Sequence, residues 1–291
     1  MPIYYLSDRV EIINDETGLE ITIDIVPIEV LKPHEETIEE ATRKLINDIK
    51  TEGVVRNPII VDKRTYVILD GMHRYEACKR LKLKYIIAAL VDYEDPRVNL
   101  NTWIRLVKFK RKVSKEWVYS KTNILNEMLK PYKGNTPYTI TVYFKGERIL
   151  HESIHSDPQT KYNVYHILKT FEKDVSKDLE ITYQIDSIVR ENLDTYLSEY
   201  DLIIIPPKLE KRDVIEIALQ NKVYPPKSTR HIIPARPLNL NIPVNILAMT
   251  NERDVRMNVM LLLRSFKVRK VKGEKVDTYR DYDETVYYFY S

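Results

Sequence analysis

Residues Tyr66 to Leu81, YVILDGMHRYEACKRL, set an aspartate, a glycine, a histidine and an arginine where an apolar run gives way to a helical pattern. Tyr66 to Leu69 carry no punctuation, which suits a short strand covered on both faces. Asp70-Gly71 breaks the run. Tyr75, Cys78 and Leu81 then recur at helical spacing, with Arg74, Glu76, Lys79, Arg80 and Lys82 on the opposite face. His73 and Arg74 therefore fall in a first helical turn, where backbone N–H groups lack helical acceptors and the dipole favours negative charge. The turn reads as an anion site in which the N–H groups of Gly71, Met72, His73 and Arg74 and the Arg74 guanidinium meet phosphate oxygens. Asp70 either caps the helix or orients a ribose or the waters of a metal ion.

Two further stretches carry chemistry. In VYPPKSTRHIIPARP the prolines enforce an ordered, extended loop, neither helix nor central strand, that holds Lys227, Ser228, Thr229, Arg230, His231 and Arg236. Such a density of donors suits a carboxylate or a phosphate. In LKPHEE, Pro33 ends an extended segment and a helix is predicted over residues 37–50, with Ile38, Ala41, Leu45, Ile46 and Ile49 on one face and Gly53 as its stop. His34, Glu35 and Glu36 thus lie at a strand-to-helix junction. Trp103 is either a pocket wall or core. His151, His155 and His166 lack partners at metal-ligand spacing and read as structural or surface residues, so no protein-built metal site is expected.

The elements that must position these groups are legible in outline. Two strand pieces over residues 3–25 flank the turn Asn14 to Gly18. After the residue 37–50 helix come strands at PIIV (residues 58–61) and 66–69, the helix containing Arg74, and the strand YIIAALVDY, a compact α/β or α+β arrangement. A helix is expected at 115–130, strands at 138–144 and 148–150, a helix at 164–175, a strand at 179–185, a helix at 186–199, a strand at 201–205 and helices at 211–221 and 251–266. A final strand is expected at VYYFY, packed on the body or on a second subunit, which keeps a homodimer open. The expected divisions are a nucleotide-binding domain over 1–110, a second mixed α/β domain over 111–246 ending in the substrate-binding loop 225–236, and a C-terminal extension over 247–291.

With 291 residues, 43% hydrophobic and 31% charged, the chain has the composition of a globular protein. Its 46 basic residues nearly cancel 43 acidic ones, for a formal charge of +3, so no global field calls for nucleic acid as partner. The basic run KFKRKVSK reads as a solvated face. The absence of a long apolar run or a signal-peptide pattern predicts a cytoplasmic protein without a membrane partner. The single cysteine, Cys78, excludes an intrachain disulfide and a cysteine cluster, and reads as a small core residue.

NPIIV followed by VILDGMHRYEACKRL resembles the nucleotide-binding core of the ParB/sulfiredoxin superfamily, whose Gly-x-x-Arg at this turn cradles nucleotide phosphates. LKPHEE at 31–36, LDGMHRYEA at 69–77 and PPKSTRHIIP at 225–234, with Thr102-Trp103 as a weaker match, together resemble the archaeal free serine kinases. The resemblance implies a ParB/sulfiredoxin-like N-terminal domain and phosphoryl transfer from ATP or ADP, with Mg²⁺, to the hydroxyl of L-serine. It implies Glu35 as general base, Glu36 as the adjacent alternative, His34 as a hydrogen-bond partner, and His73 as a second catalytic residue that lies with the Asp70–Arg74 turn at the donor phosphates. Arg230, Ser228 and Thr229 would take the serine carboxylate, Lys227 and His231 that carboxylate or the transferred phosphate, and Trp103 would wall the pocket. The kinases usually read Asp-Gly-His-His-Arg, and Met72 stands here for the first histidine; sulfiredoxins place their catalytic cysteine at that position, so thiol chemistry is not expected. The alternatives are a ParB-like nucleotide switch that clamps DNA, which would need a helix-turn-helix region after the nucleotide core, and a kinase of another small hydroxyl compound.

Overall fold

The computed structural model describes residues 3–272, 282 and 284–291. Its elements run, in chain order, β1 (Ile3–Tyr5), β2 (Val10–Ile13), β3 (Glu20–Pro27), α1 (Glu39–Glu52), β4 (Val54–Val55), β5 (Ile59–Asp62), β6 (Ile68–Asp70), α2 (Met72–Arg80) and β7 (Tyr85–Val91). Next come β8 (Asn99–Phe109), α3 (Lys115–Leu129), β9 (Thr139–Phe144), β10 (Glu147–Ser153), α4 (Pro158–Val175) and β11 (Leu179–Ile185). They are followed by α5 (Asp186–Glu191), α6 (Leu193–Glu199), β12 (Leu202–Ile205), α7 (Lys211–Leu219) and β13 (Thr229–Ile232). The chain closes with β14 (Arg236–Leu238), β15 (Ile242–Pro243), α8 (Val244–Leu247), α9 (Glu252–Ser265), β16 (Lys267–Val271) and β17 (Val286–Tyr290).

The chain forms two compact units, Met1–Asn99 with His231–Ser291, and Leu100–Arg230. These limits differ from the expected divisions at 110 and 246. Residues 100–109 belong to β8, a strand of the second unit's sheet, and residues 242–243 return to pair with β4 of the first. Part of the expected C-terminal extension, residues 273–281 and 283, lies outside the described residues.

In the first unit a sheet is ordered β1-β2-β3-β7-β5-β6, with β5 and β7 parallel and the other pairs antiparallel. The apolar runs of β5 and β7 are buried on both faces, as their lack of alternation requires. The expected early turn is built by Asn14, whose Oδ1 accepts the N–H groups of Glu16 and Thr17 at 2.9 Å, and by Gly18 at φ +72°. Helix α1 begins at Glu39, two residues later than expected, and stops at Gly53 in the left-handed region. A second correction concerns Tyr66: at φ +58° it closes the turn after β5, half exposed, with its N–H on the Asp62 carbonyl, and the strand starts only at Ile68. The C-terminal VYYFY forms β17, between β14 (parallel) and β16 (antiparallel).

The second unit is a mixed α/β layer structure whose sheet follows the path β10-β9-β12-β8-β11. One face packs on α3 and α4 through Val142, Leu150, Leu168 and Ile204; the other is partly closed by α5 and α6 through Leu106, Val189, Leu193 and Ile203. The sequence pattern missed β8 because a charge interrupts its apolar positions. Arg105 sits there 1% exposed, held 2.7 Å from the Glu172 carboxylate of α4. The basic run at its end stays at the surface, with Lys110 donating to the Ser176 carbonyl and Arg111 paired with Asp178. Replacing one member of a buried pair strands the other, so Glu172→Ala is expected to destabilise the protein by about 3–5 kcal/mol in chemical denaturation. A loss below 1 kcal/mol would show that Arg105 needs no carboxylate.

Candidate functional site

Within the first unit, the segment bearing Glu35 is tied to the strand, turn and helix that bear the Asp70–Arg74 motif. Lys32 donates its N–H to the Tyr66 carbonyl and accepts from the Ile68 N–H, both at 2.9 Å, forming a parallel bridge beside β6. His34 is buried, and its Nδ1–H donates to the Ile68 carbonyl at 2.5 Å. The Ile38 N–H donates to Nε2 of His73 at 3.0 Å. These bonds hold Lys32 beside β6 and Ile38 beside His73, and Ile38 is still extended at ψ 120°, so the helix begins only at Glu39. This is why α1 starts late, and it fixes Glu35 and Glu36, both half-buried, in a short extended segment.

The bond from Ile38 assigns His73: its Nε2 is an acceptor, so in this arrangement the ring is neutral and ties the first turn of α2 to the entry of α1. Burial pushes the His34 ring down to about 4, so it too is neutral and donates from Nδ1. His34 stands edge-on to His231, ring centroids 5.4 Å apart, and the Tyr93 hydroxyl lies 2.7 Å from His231 Nε2. His231 is thus 3% exposed among aromatic rings, not displayed on a loop.

The turn itself requires glycine. Gly71 has φ +98°, and a Cβ there would lie 2.7 Å from Ile59 Cγ2 and 2.8 Å from Arg74 Nη2. Helix α2 has Gly71 as its cap position and no side-chain cap, which removes the capping role considered for Asp70. The Asp70 carboxylate instead lies between two guanidinium groups, 2.5 Å from Arg236 Nη1 and 3.8 Å from Arg74 Nη2. Arg236 is buried, with Nε 3.3 Å from the buried Glu284 carboxylate and its guanidinium 5.5 Å from the Tyr282 ring centroid. Met72, the substitution for the usual histidine, turns its side chain into the interior, so this position offers a backbone N–H and no imidazole. Cys78 is buried and its thiol is pushed up to about 12, consistent with a core residue.

In the second unit, Trp103 Nε1 donates to the Thr229 carbonyl at 2.8 Å, and the Lys227 ammonium stands 4.8 Å from the Trp103 ring centroid. Lys227 takes φ +64°. Ser228 is fully buried and its hydroxyl donates to the Pro225 carbonyl at 2.7 Å, so its side chain holds the loop's shape. Arg230 is buried. The Trp103 carbonyl accepts from Arg105, which links Trp103 to the buried Arg105–Glu172 pair.

Sequence reasoning missed Tyr93, Glu284 and Tyr282, and noted Arg236 only as one donor among several. Arg236 and Asp70 are 166 residues apart, and no local pattern pairs an arginine with a distant carboxylate. The one available signal was the density of cations in the proline-punctuated stretch. Among the described residues, no group of three or more His, Cys, Asp or Glu side chains gathers to hold a metal, and no helix is long and apolar enough to cross a membrane.

Comparison with known proteins bears on the family and the fold. The ParB N-terminal domain family matches residues 9–102. The ATP-dependent L-serine kinase of Staphylothermus marinus is 31% identical over 250 residues, 77% of this chain and 90% of that protein. The ADP-dependent L-serine kinase of Thermococcus kodakarensis is 25% identical over 77% of this chain and 93% of its own length. A free serine kinase solved in complex with AMP shares the fold, with a TM-score of 0.57 at 21% identity over 77% of this chain and 93% of that one.

The His34 ring gives a pH signature. Its folded value lies below the unfolded value near 6.5, so the unfolded chain binds the extra proton and this contribution to stability is lost as pH falls from about 6.5 towards 4, by up to about 3 kcal/mol. Denaturation series across that range should show His34→Asn less stable at neutral pH and less sensitive to acid; equal slopes would contradict a buried neutral imidazole. By its identity to the Staphylothermus protein over nine-tenths of that protein's length, and by its ParB N-terminal domain, the chain belongs to the L-serine kinase family.

Proposed function

We propose that this protein is a free L-serine kinase that transfers a phosphoryl group from ATP or ADP to the serine hydroxyl, giving O-phospho-L-serine. The observation that carries this reading is the lacing of the Glu35 segment to the Asp70–Arg74 turn through Lys32, His34 and His73. A phosphoryl transfer needs a donor cradle and a proton acceptor at fixed separation, and a backbone-bonded segment supplies that better than a mobile loop.

The N–H groups of Gly71 to Arg74 and the Arg74 guanidinium take the donor phosphate oxygens. The serine oxygen attacks the terminal phosphorus in line; the new O–P bond forms as the bond to the leaving nucleotide breaks, and the hydroxyl proton passes to the Glu35 carboxylate. Glu36 is the neighbouring carboxylate and is assigned to the acceptor amine. His73 acts by position: engaged at Nε2 by the Ile38 N–H, it holds base and donor turn in register, in place of the catalytic role the resemblance suggested. Arg230, Thr229 and Lys227 are assigned to the serine carboxylate, with Trp103 and Ser228 shaping that loop. Magnesium fits as a partner of the nucleotide: it would be held chiefly by phosphate oxygens and water, the described residues build no cage for it, and the Asp70 carboxylate, 22% exposed beside Arg74, would orient that water. When bound, it neutralises charge on the transferring group.

A DNA-clamping switch is the weaker reading. The chain that follows the ParB-like segment is a mixed α/β unit around a sheet, and a helix-turn-helix module is what such a switch requires. Purified protein with serine, Mg²⁺ and either nucleotide should form phosphoserine. Glu35→Gln should lower kcat by about a hundred- to ten-thousand-fold with nucleotide affinity retained, and full activity in that variant would overturn the assignment. Arg236→Met should raise the KM for nucleotide about tenfold or more while the KM for serine stays near its starting value, because Asp70 loses the cation that orients it. Arg236→Lys should recover part of the loss. Equal changes in both KM values, tracking a loss of thermal stability, would make Arg236 a purely structural residue.

A further inference from the structure

The sheet of the second unit has a half-face that the helices leave open. Strand periodicity sends Ile140, Val142 and Phe144 of β9 into the core beneath α3 and α4, so Thr139, Thr141 and Tyr143 point to the other face. Over β8 and β12 that face is closed by α5 and α6, and on β9 the cover reaches only Tyr143. What remains is a cleft of about 290 Å³ with Leu193 and Ile205 in its lining. Its polar lining is Thr139, Thr141, Tyr143, Arg148, His151 and Arg190, which includes two guanidinium groups and no carboxylate.

The charges in this cleft are poorly compensated. Arg190 approaches Asp186, one turn earlier on α5, only to 3.7 Å, and Arg148 makes no ion pair among the described residues. The cleft also has a fixed part: the Thr141 hydroxyl, 6% exposed, lies 2.9 Å from His151 Nδ1, which holds the imidazole at the rim. Two arginines from different elements, an anchored imidazole and hydroxyls from alternate positions of one strand form a donor set for a tetrahedral oxyanion. None of these residues belongs to the kinase site described above.

We propose that this cleft binds a small phosphate, either inorganic phosphate or a phosphomonoester with a short carbon skeleton. The guanidinium groups and His151 take the phosphate oxygens, and Leu193 and Ile205 accommodate the carbon chain. The volume lies at the lower end of the range for small-molecule sites and is too small for a nucleotide. The proposal stands apart from the kinase reading, since the same cleft would bind phosphate in a protein that phosphorylates another compound.

The test is an NMR titration of the whole protein at constant pH and ionic strength, following the His151 ring resonances, which report this cleft and not the kinase turn. The probes are inorganic phosphate, O-phospho-L-serine and glycerol phosphate, with chloride as control. A saturable shift with a dissociation constant of about 1 mM or tighter is expected, weakened about tenfold in Arg148→Ser and in Arg190→Ser, with serine phosphorylation unchanged in both. Tighter binding of the organic phosphates than of inorganic phosphate identifies a phosphomonoester as the ligand; equal binding identifies the free ion. The proposal is overturned if no saturable shift develops up to about 50 mM, if both variants bind as the parent does, or if an oligonucleotide is bound while the small phosphates are not.

Discussion

A short extended segment, residues 31–38, is tied to its neighbours at Lys32, His34 and Ile38, and much of the first unit's geometry follows from that. Lys32 is bridged beside β6, His34 reaches the Ile68 carbonyl, and Ile38 gives its N–H to His73. A buried backbone amide or carbonyl keeps a partner, so Lys32 and Ile38 stay extended against theirs and α1 begins only at Glu39. The same bonds set Glu35 at a fixed distance from the turn at Gly71. Phosphoryl transfer depends more on such positioning than on the basicity of the base, because the reacting groups must be aligned before any proton moves.

Charge burial is the second organising device. Arg236 is withdrawn from water against Asp70 and Glu284, Arg105 against Glu172, and Lys161 against Asp213 at 2.7 Å with both side chains fully buried. Pairs of this kind contribute little net stability compared with apolar residues, yet removing one member is costly, so they penalise any wrong register strongly. In each case the pair sits beside a functional or structural turn. Arg236 reaches the aspartate that precedes Gly71, Arg105 supports the Trp103 carbonyl, and Asp213 completes the capping box of α7 with Glu210.

The C-terminal residues fit the same scheme. Strand β17 pairs with β14, whose first residue is Arg236, and Lys270 of β16 pairs with Asp15 and Glu16 in the turn between β2 and β3. The last strand therefore buttresses the element that carries the partner of Asp70. The second unit enters the chain between Asn99 and His231, so its inserted sheet needs no free terminus.

The sequence by itself determined the local pieces: the buried runs of β5 and β7, the Asp70-Gly71 break before α2, the Gly53 stop of α1, and the donor-rich stretch at 227–236. These rest on periodicity, on the φ > 0 that glycine alone adopts easily, and on proline's missing N–H, all of which act within a few residues. The resemblance to serine kinases likewise rests on short motifs, each confined to about ten residues. Tertiary structure decided the rest. It decided that Asp70 pairs with Arg236 and is not a cap, that His73 accepts a backbone N–H, that Met72 and His231 face inward, and that Arg105 can lie inside a strand. Each of these depends on a partner far away in sequence, and an ion pair or hydrogen bond between distant residues leaves no period in the chain that could announce it.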